Sequence, residues 1–131
     1  MIALDTNVVL RLLMKDDPDQ YERSSRLIQQ LEIEKEAATI TDIAIIEVVW
    51  VLQSRYKASK QEVISALEVM ASSLGVQFYA PVRFYGALTA YAAGKGDFAD
   101  YLLREQARDS GCRAVATFDK ALLKDDGFIE P

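Results

Sequence analysis

Two aspartates stand where predicted strands end, at positions where a parallel sheet carries chemistry. Asp5 follows the apolar run 2–4, and Asp119 comes just past the predicted strand 114–117. Ligands of open α/β sheets bind outside the carboxyl ends of the strands, so both carboxylates are expected at that edge. Taken alone, each is also explained as a turn or helix-cap residue, because aspartate is common in both roles.

Glu47 is the one polar residue in the otherwise apolar segment 43–52. A helix that is apolar on every side is expected to be buried. A lone buried carboxylate is strongly destabilising unless a cation compensates its charge. The sequence therefore predicts that Glu47 is buried, and it favours a metal ligand over the alternative of an ion pair with a Lys or Arg.

Asp97 and Asp100 lie three residues apart at the predicted start of a helix, directly after Gly94-Lys95-Gly96. Asp97 is either the helix cap or an accessory metal ligand, and both interpretations stay open. Asp100 is expected to face the strand ends. Carboxylates held close together without a metal repel one another, so at least one should have a raised pKa.

The composition narrows the chemistry that these acids can perform. The chain has no histidine, which excludes His-based acid–base catalysis, Ser-His and Cys-His nucleophiles and nearly every zinc enzyme. A net charge of −5 also argues against a general nucleic-acid coat protein. Oxygen ligands alone select hard cations, so the sequence predicts Mg²⁺, with Mn²⁺ as a substitute.

Capping and periodicity signals predict the elements that position these residues. Ser59 and Glu62 form a capping box, and apolar residues then recur at helical spacing until Gly75. Residues 17–20 (Asp-Pro-Asp-Gln) likewise predict a helix start whose Gln closes a box. The predicted strands are residues 2–4, 37–41, 76–79, 114–117 and 128–129. The other predicted helices are residues 8–14, 43–52 (capped by Thr41 or Asp42), 81–93 and 98–110.

Strands that alternate with helices predict an α/β fold with a parallel sheet covered on both faces. The chain has 131 residues and no repeat or flexible linker, so residues 1–131 are expected to form a single domain. Met1 runs straight into an apolar strand without a basic leader, and segment 43–52 is far shorter than the roughly 20 residues of a membrane span. Together with the single Cys112, these features predict a cytoplasmic protein without a membrane segment.

Four blocks of the sequence, in order, resemble the signature blocks of PIN-domain nucleases, and most closely the VapC-like toxins of toxin–antitoxin pairs. The blocks are Leu4-Asp5-Thr6-Asn7, Glu47-Val48-Val49-Trp50-Val51-Leu52, Asp97-Phe98-Ala99-Asp100 and Thr117-Phe118-Asp119-Lys120. The resemblance covers essentially the whole chain. It implies a PIN-like three-layer fold, with a parallel central sheet flanked by helices.

The resemblance also assigns roles by position. Asp5, Glu47, Asp100 and Asp119 match the catalytic, metal-binding acids, and Asp97 matches an accessory acid. Asn7 and Thr117 match positions at which polar side chains of the family orient the site. The alternative interpretations are a helix cap for Asn7 and an ordinary strand residue for Thr117. Basic residues that could contact RNA phosphates, or else be ordinary surface charges, are Arg11, Lys95, Arg104 and Lys120.

The implied function is a Mg²⁺- or Mn²⁺-dependent endoribonuclease in which a metal-activated water hydrolyses an RNA phosphodiester bond. The implied partners are RNA, a cognate antitoxin protein and a second copy of the chain in a homodimer. One alternative is a haloacid-dehalogenase-like phosphatase, which normally has a second Asp two residues after the first, where this chain has Asn7. The other alternative is a non-catalytic module that binds RNA or protein.

Overall fold

A computed structural model describes residues 1–72 and 74–131 of the chain. It divides into two compact units, Met1–Ala80 and Pro81–Pro131. Six α-helices and pairs of parallel strands make up the described residues, which confirms the predicted α/β class with parallel strand pairing. The assignment of residues 1–131 to one domain stays a prediction.

Unit 1 contains a three-stranded parallel sheet and four helices. The strands are β1 (Ile2–Ala3), β2 (Ala38–Ile40) and β3 (Gln77–Phe78), in the order β1-β2-β3. The helices are α1 (Thr6–Met14), α2 (Pro18–Glu34), α3 (Asp42–Ser54) and α4 (Lys60–Ser72). Register places Ala3 beside Thr39 and Ile40 beside Phe78, so the three strands end at the same edge of the sheet.

Side-chain caps explain where the helices of unit 1 begin. The box at α4 is confirmed, since the backbone N–H of Ser59 donates to Glu62 at 3.0 Å and that of Glu62 to Ser59 at 3.2 Å. The predicted continuation of this helix through Ser73 lies outside the described residues. At α2 the cap is confirmed, but the side-chain oxygen of Gln20 accepts a hydrogen bond from Arg11 Nε at 2.7 Å instead of closing the box.

Unit 2 pairs two helices with a two-stranded parallel sheet. Its elements are α5 (Pro81–Ala93), α6 (Phe98–Asp109), β4 (Val115–Ala116), a short 3₁₀ helix (Leu122–Lys124) and β5 (Phe128–Ile129). Its core contains the buried rings of Phe84, Phe98 and Tyr101. The predicted last strand is confirmed at Phe128–Ile129. Across the described residues of both units, no helix is long and apolar enough to cross a membrane.

Candidate active site

Asp5 stands at the junction of β1 and α1, as the sequence predicted. Its backbone is extended, with φ −68° and ψ 153°, and its side chain accepts the backbone N–H of Asn7 at 3.4 Å. The preceding Leu4 is buried and its N–H donates to Thr39 of β2, so the end of the strand is fixed to the sheet. The Asp5 carboxylate is exposed at the N-terminus of α1.

The prediction that Glu47 is buried is wrong. Helix α3 buries one face, and Glu47 lies on the opposite face with Ile43 and Trp50, which are 72% and 67% exposed. These three residues are spaced four and three apart, so they form one stripe of the helix surface. The apolar residues of this stripe are left in solvent, and the argument from the penalty of burial therefore does not apply to Glu47.

Thr6 fixes the Glu47 side chain, and sequence reasoning gave it no role. Its hydroxyl donates to Glu47 Oε2 at 2.7 Å, and Thr6 itself is only 8% exposed. Thr6 is the first residue of α1, directly after Asp5, so this bond connects the end of β1 to α3. The only signal in the sequence is a hydroxyl residue beside the first acid, which is too common a pattern to identify a partner 41 residues away.

Asp97 and Asp100 occupy the start of α6. Asp97 is the N-cap residue, which confirms its predicted cap position, while its role as a ligand stays a prediction. Its backbone N–H donates to Asp100 Oδ2 at 2.9 Å. Burial raises the pKa of the Asp100 carboxyl above its usual value, and the negative charges of Asp97 and Asp119 raise it further, against the lowering effect of the Asp97 hydrogen bond. The expectation of one raised pKa among these acids is thus confirmed.

Backbone hydrogen bonds hold Asp119 in its turn. The hydroxyl of Thr117 accepts the Asp119 N–H at 3.0 Å, and Asp119 Oδ1 accepts the Ala121 N–H at 2.9 Å. Thr117 is fixed in turn, because its N–H donates to the carbonyl of Ile129 in β5 at 2.9 Å. Thr117 therefore contacts the backbone of Asp119, and its role in orienting the site stays a prediction.

Tyr101 braces the loop that precedes Asp97. Its ring is fully buried, and its hydroxyl accepts the Gly96 N–H at 3.0 Å and donates to Asp125 Oδ2 at 2.6 Å. A Cβ at Gly96 would lie 2.4 Å from Leu122 Cδ2 and 3.2 Å from the Tyr101 ring. A side chain at position 96 would therefore force Leu122 or Tyr101 to shift, and only the Gly-Lys-Gly pattern in the sequence indicated such a loop.

The structure contradicts a phosphate contact at Arg104. This side chain is buried, with its guanidinium over the rings of Tyr101 and Phe128. Its Nη1 donates to the Asp126 carbonyl at 3.0 Å and its Nη2 pairs with Glu105 at 2.9 Å. Arg104 therefore holds the C-terminal segment against α6. The prediction fails because helical spacing does not show which tertiary contacts a side chain makes.

The other predicted phosphate contacts differ in whether their positive charge is already paired within the protein. Arg11 pairs with Asp16 at 3.1 Å and also donates to Gln20, so its charge is partly compensated within unit 1. Lys95 and Lys120 are exposed and flank Asp97 and Asp119 in the chain. Their contacts with phosphate stay predictions.

Asn7 is exposed, and its backbone rather than its side chain contacts Asp5. It lies at a cavity of about 360 Å³ between α1 and α2, whose lining also includes Arg11 and Arg23. A role in orienting the acidic site stays a prediction for Asn7.

The donor chemistry of the five acids fits a hard cation. Through residues 1–72 and 74–131, no Lys or Arg forms an ion pair with Asp5, Glu47, Asp97, Asp100 or Asp119. Carboxylate oxygens are the ligands that Mg²⁺ and Mn²⁺ prefer. The described side chains contain no group of three or more Asp, Glu, Cys or His residues already arranged to hold a metal ion. The complete ligand set is therefore a proposal and not an observation.

Comparisons with known proteins match nearly the whole chain. The family model described as PIN domain matches residues 2–126. The chain is also 25% identical over 126 residues to a protein named VapC ribonuclease from Aquifex aeolicus (strain VF5). This alignment covers 95% of the present chain and 91% of the Aquifex protein.

Proposed function

The chain belongs to the PIN domain family, and from this premise we propose that it is a metal-dependent endoribonuclease. The proposed ligands of Mg²⁺ or Mn²⁺ are Asp5, Glu47, Asp100 and Asp119, with Asp97 as an accessory acid. The proposed substrate is RNA, cleaved by hydrolysis of a phosphodiester bond. The name and long alignment of the Aquifex VapC ribonuclease support this assignment.

The observation that carries the proposal is the electrostatic cluster in unit 2. Burial raises the pKa of Asp100, the nearby charges of Asp97 and Asp119 raise it further, and no described Lys or Arg is paired with any of the three. Like charges held together without compensation are destabilising. Such a cluster is explained if a bound cation supplies the missing positive charge, and perturbed carboxylates are characteristic of functional sites.

Hydrogen bonds orient three of the proposed ligands. Asp100 Oδ2 accepts the Asp97 N–H, which leaves Oδ1 for a cation. Thr6 orients Glu47, and Thr117 orients the backbone of Asp119. When bound, a divalent cation supplies an activated water and stabilises the leaving oxygen. No histidine is needed as a general base along this route, in agreement with a chain that has none.

A cleavage assay tests the proposal. RNA cleavage should require Mg²⁺ or Mn²⁺, stop with EDTA, and fall by orders of magnitude in Asp5→Asn and Asp100→Asn, because each replacement removes a negatively charged oxygen ligand. Asp126→Asn is the matched control, since it makes the same change at an exposed acid outside the proposed ligands. Undiminished cleavage in excess EDTA, or a phosphoryl group trapped on Asp5, would contradict the proposal.

We further propose that the protein is the toxin of a toxin–antitoxin pair that acts in the cytoplasm, binds a cognate antitoxin and forms a homodimer. The VapC name of the Aquifex relative supports the toxin assignment. The exposed Ile43 and Trp50 on α3 support a protein partner, because such a partner would cover their apolar surface. Expression of the wild type alone should arrest growth, expression of Asp100→Asn should not, and co-expression of the cognate antitoxin should restore growth.

A further inference from the structure

Phe118 exposes an aromatic ring directly beside a proposed metal ligand. The side chain is 89% exposed, the largest exposed fraction among the large apolar residues of the described chain. Single exposed apolar residues are ordinary on protein surfaces. The position of Phe118 between Thr117 and Asp119 distinguishes it from the others, since both neighbours belong to the turn that presents the acid.

The backbone on both sides of Phe118 is held in place. The Thr117 N–H donates to the Ile129 carbonyl at 2.9 Å, and the Asp119 N–H donates to Thr117 Oγ1 at 3.0 Å. Asp119 Oδ1 then accepts the Ala121 N–H at 2.9 Å. A ring carried on a fixed turn loses little conformational entropy when it binds a ligand, which favours binding over a ring on a mobile loop.

The chemistry around the ring matches the parts of a nucleotide. Asp119 and Lys120 follow Phe118 and are both exposed. An aromatic face stacks on a base, and an ammonium group attracts a phosphate. A protein partner would instead favour a contiguous apolar patch with few charges at its centre, whereas the chain neighbours of this ring are a hydroxyl, a carboxylate and an ammonium group.

We propose that Phe118 is a stacking platform for a base of single-stranded RNA beside the bond to be cleaved, with Lys120 contacting the adjoining phosphate. This inference rests on the proposed ribonuclease function and assigns the part of the substrate that the turn recognises. Stacking tolerates any base, because every base has a π-face. Phe118 therefore selects unpaired RNA over duplex RNA and contributes little to the choice of sequence.

A binding titration with matched variants tests this role without relying on cleavage. The probe is a short single-stranded oligoribonucleotide with a 5′ fluorescent label, titrated in Ca²⁺ and checked on a gel to be intact. Phe118→Leu and Phe118→Ala should each weaken binding about 10-fold, and Phe118→Trp should bind as tightly as wild type or tighter. Leucine keeps the apolar character and loses the ring, so it separates stacking from generic hydrophobic contact. Ile33→Ala, at another side chain that is 81% exposed, should leave the affinity unchanged.

The outcomes separate this inference from the proposed function. If the wild type cleaves RNA with Mg²⁺ but Phe118→Leu binds the oligonucleotide like the wild type, the stacking role is wrong and the ribonuclease assignment stands. If the order of the variants holds but no cleavage occurs, RNA binding stands and the proposed function fails. Absence of RNA binding by the wild type overturns the stacking role. If Phe118→Leu keeps the wild-type RNA affinity but changes the oligomeric state on gel filtration, the stacking role is wrong and Phe118 belongs to a protein interface.

Discussion

The two units present their proposed ligands in different ways. In unit 1, Asp5 accepts one long backbone hydrogen bond, from the Asn7 N–H at 3.4 Å, and the exposed Glu47 of α3 is oriented by one side-chain hydrogen bond from Thr6. In unit 2, Asp100 and Asp119 are tied to backbone N–H groups of their own segments, and the loop before Asp97 is packed against Tyr101. The acids of unit 2 also raise the pKa of Asp100, and burial is the larger cause.

This difference indicates which half of the proposed site is preorganised. Backbone hydrogen bonds and buried rings fix the acids of unit 2 whether or not a cation is bound, at the cost of mutual repulsion. A single hydroxyl contact leaves Glu47 dependent on one partner. Substitutions that loosen unit 2 should therefore change the stability of the fold, whereas substitutions that loosen unit 1 should chiefly change metal use.

The largest expected effect on stability is that of Tyr101→Phe. Loss of the hydroxyl leaves the buried Gly96 N–H without its acceptor and removes the bond to Asp125. An unsatisfied buried donor costs about 1–3 kcal/mol, so the melting temperature should fall by several degrees. Cleavage should also decline, because the loop before Asp97 is no longer fixed.

Tyr79→Phe is the matched control, since it removes a hydroxyl from a tyrosine that is 63% exposed and should leave the melting temperature within about a degree. Thermal melts followed by circular dichroism measure both variants. Equal melting temperatures for Tyr101→Phe and wild type would mean that the Tyr101 hydroxyl does not brace the loop, and the contrast between the units would lose its main support.

Thr6→Val should have a smaller effect on stability and a marked effect on activity. Valine has nearly the shape of threonine but cannot donate to Glu47. The exposed Glu47 carboxylate can be solvated instead, so the loss of stability should not exceed about 1 kcal/mol. Residues that orient metal ligands typically contribute 10- to 100-fold to metal affinity or activity.

The measurement for Thr6→Val is the Mg²⁺ concentration that gives half-maximal cleavage, which should rise. Thr6→Ser keeps the hydroxyl and should restore the wild-type value. If serine and valine behave alike, the packing of Thr6 matters and its hydrogen bond does not, and Thr6 would not be a positioning residue.

Local signals predicted the elements that local interactions determine. The Ser59–Glu62 capping box, the cap at Asp17 and the strand ends beside Asp5 and Asp119 were all predictable, because each depends on residues a few positions apart in the chain. A raised pKa among these acids was also predicted; burial of Asp100 is its largest cause, and the negative charges of Asp97 and Asp119 add to it.

Errors arose where distant residues decide the environment. Glu47 was expected to be buried because its helix is apolar on every side, but periodicity does not show which stripe the fold covers, and the stripe with Ile43 and Trp50 is left exposed. Arg104 was expected at a phosphate site, yet the Asp126 carbonyl and the Phe128 ring, both more than 20 residues away in the chain, keep it inside unit 2. Neither partner leaves a pattern in the local sequence.

The smallest expected effect is that of Asp100→Asn on stability in EDTA, and it tests directly whether the acids of unit 2 repel one another. The pKa of Asp100 is raised above its ordinary value of 3.8, so the folded state favours the protonated form. Its contribution to stability is thus fully present below that value and is lost as the pH rises through the folded-state pKa. At neutral pH the charged carboxylate destabilises the metal-free protein, and asparagine removes that charge while keeping an oxygen for the Asp97 N–H. Without metal, Asp100→Asn should therefore melt slightly above wild type at pH 7. Its gain in free energy of unfolding should be less than about 1 kcal/mol, because solvent screens a half-buried group. The difference should vanish under acidic conditions.

Added Mg²⁺ should reverse the order of the two melting temperatures, because the variant has lost a metal ligand. A ligand that binds only the native state stabilises it by about 2.7 kcal/mol at about 100 times its dissociation constant. Asp126→Asn should show neither effect. A lower melting temperature for Asp100→Asn in EDTA at pH 7 would show that the charge of Asp100 stabilises the metal-free fold, and the cluster would then be structural.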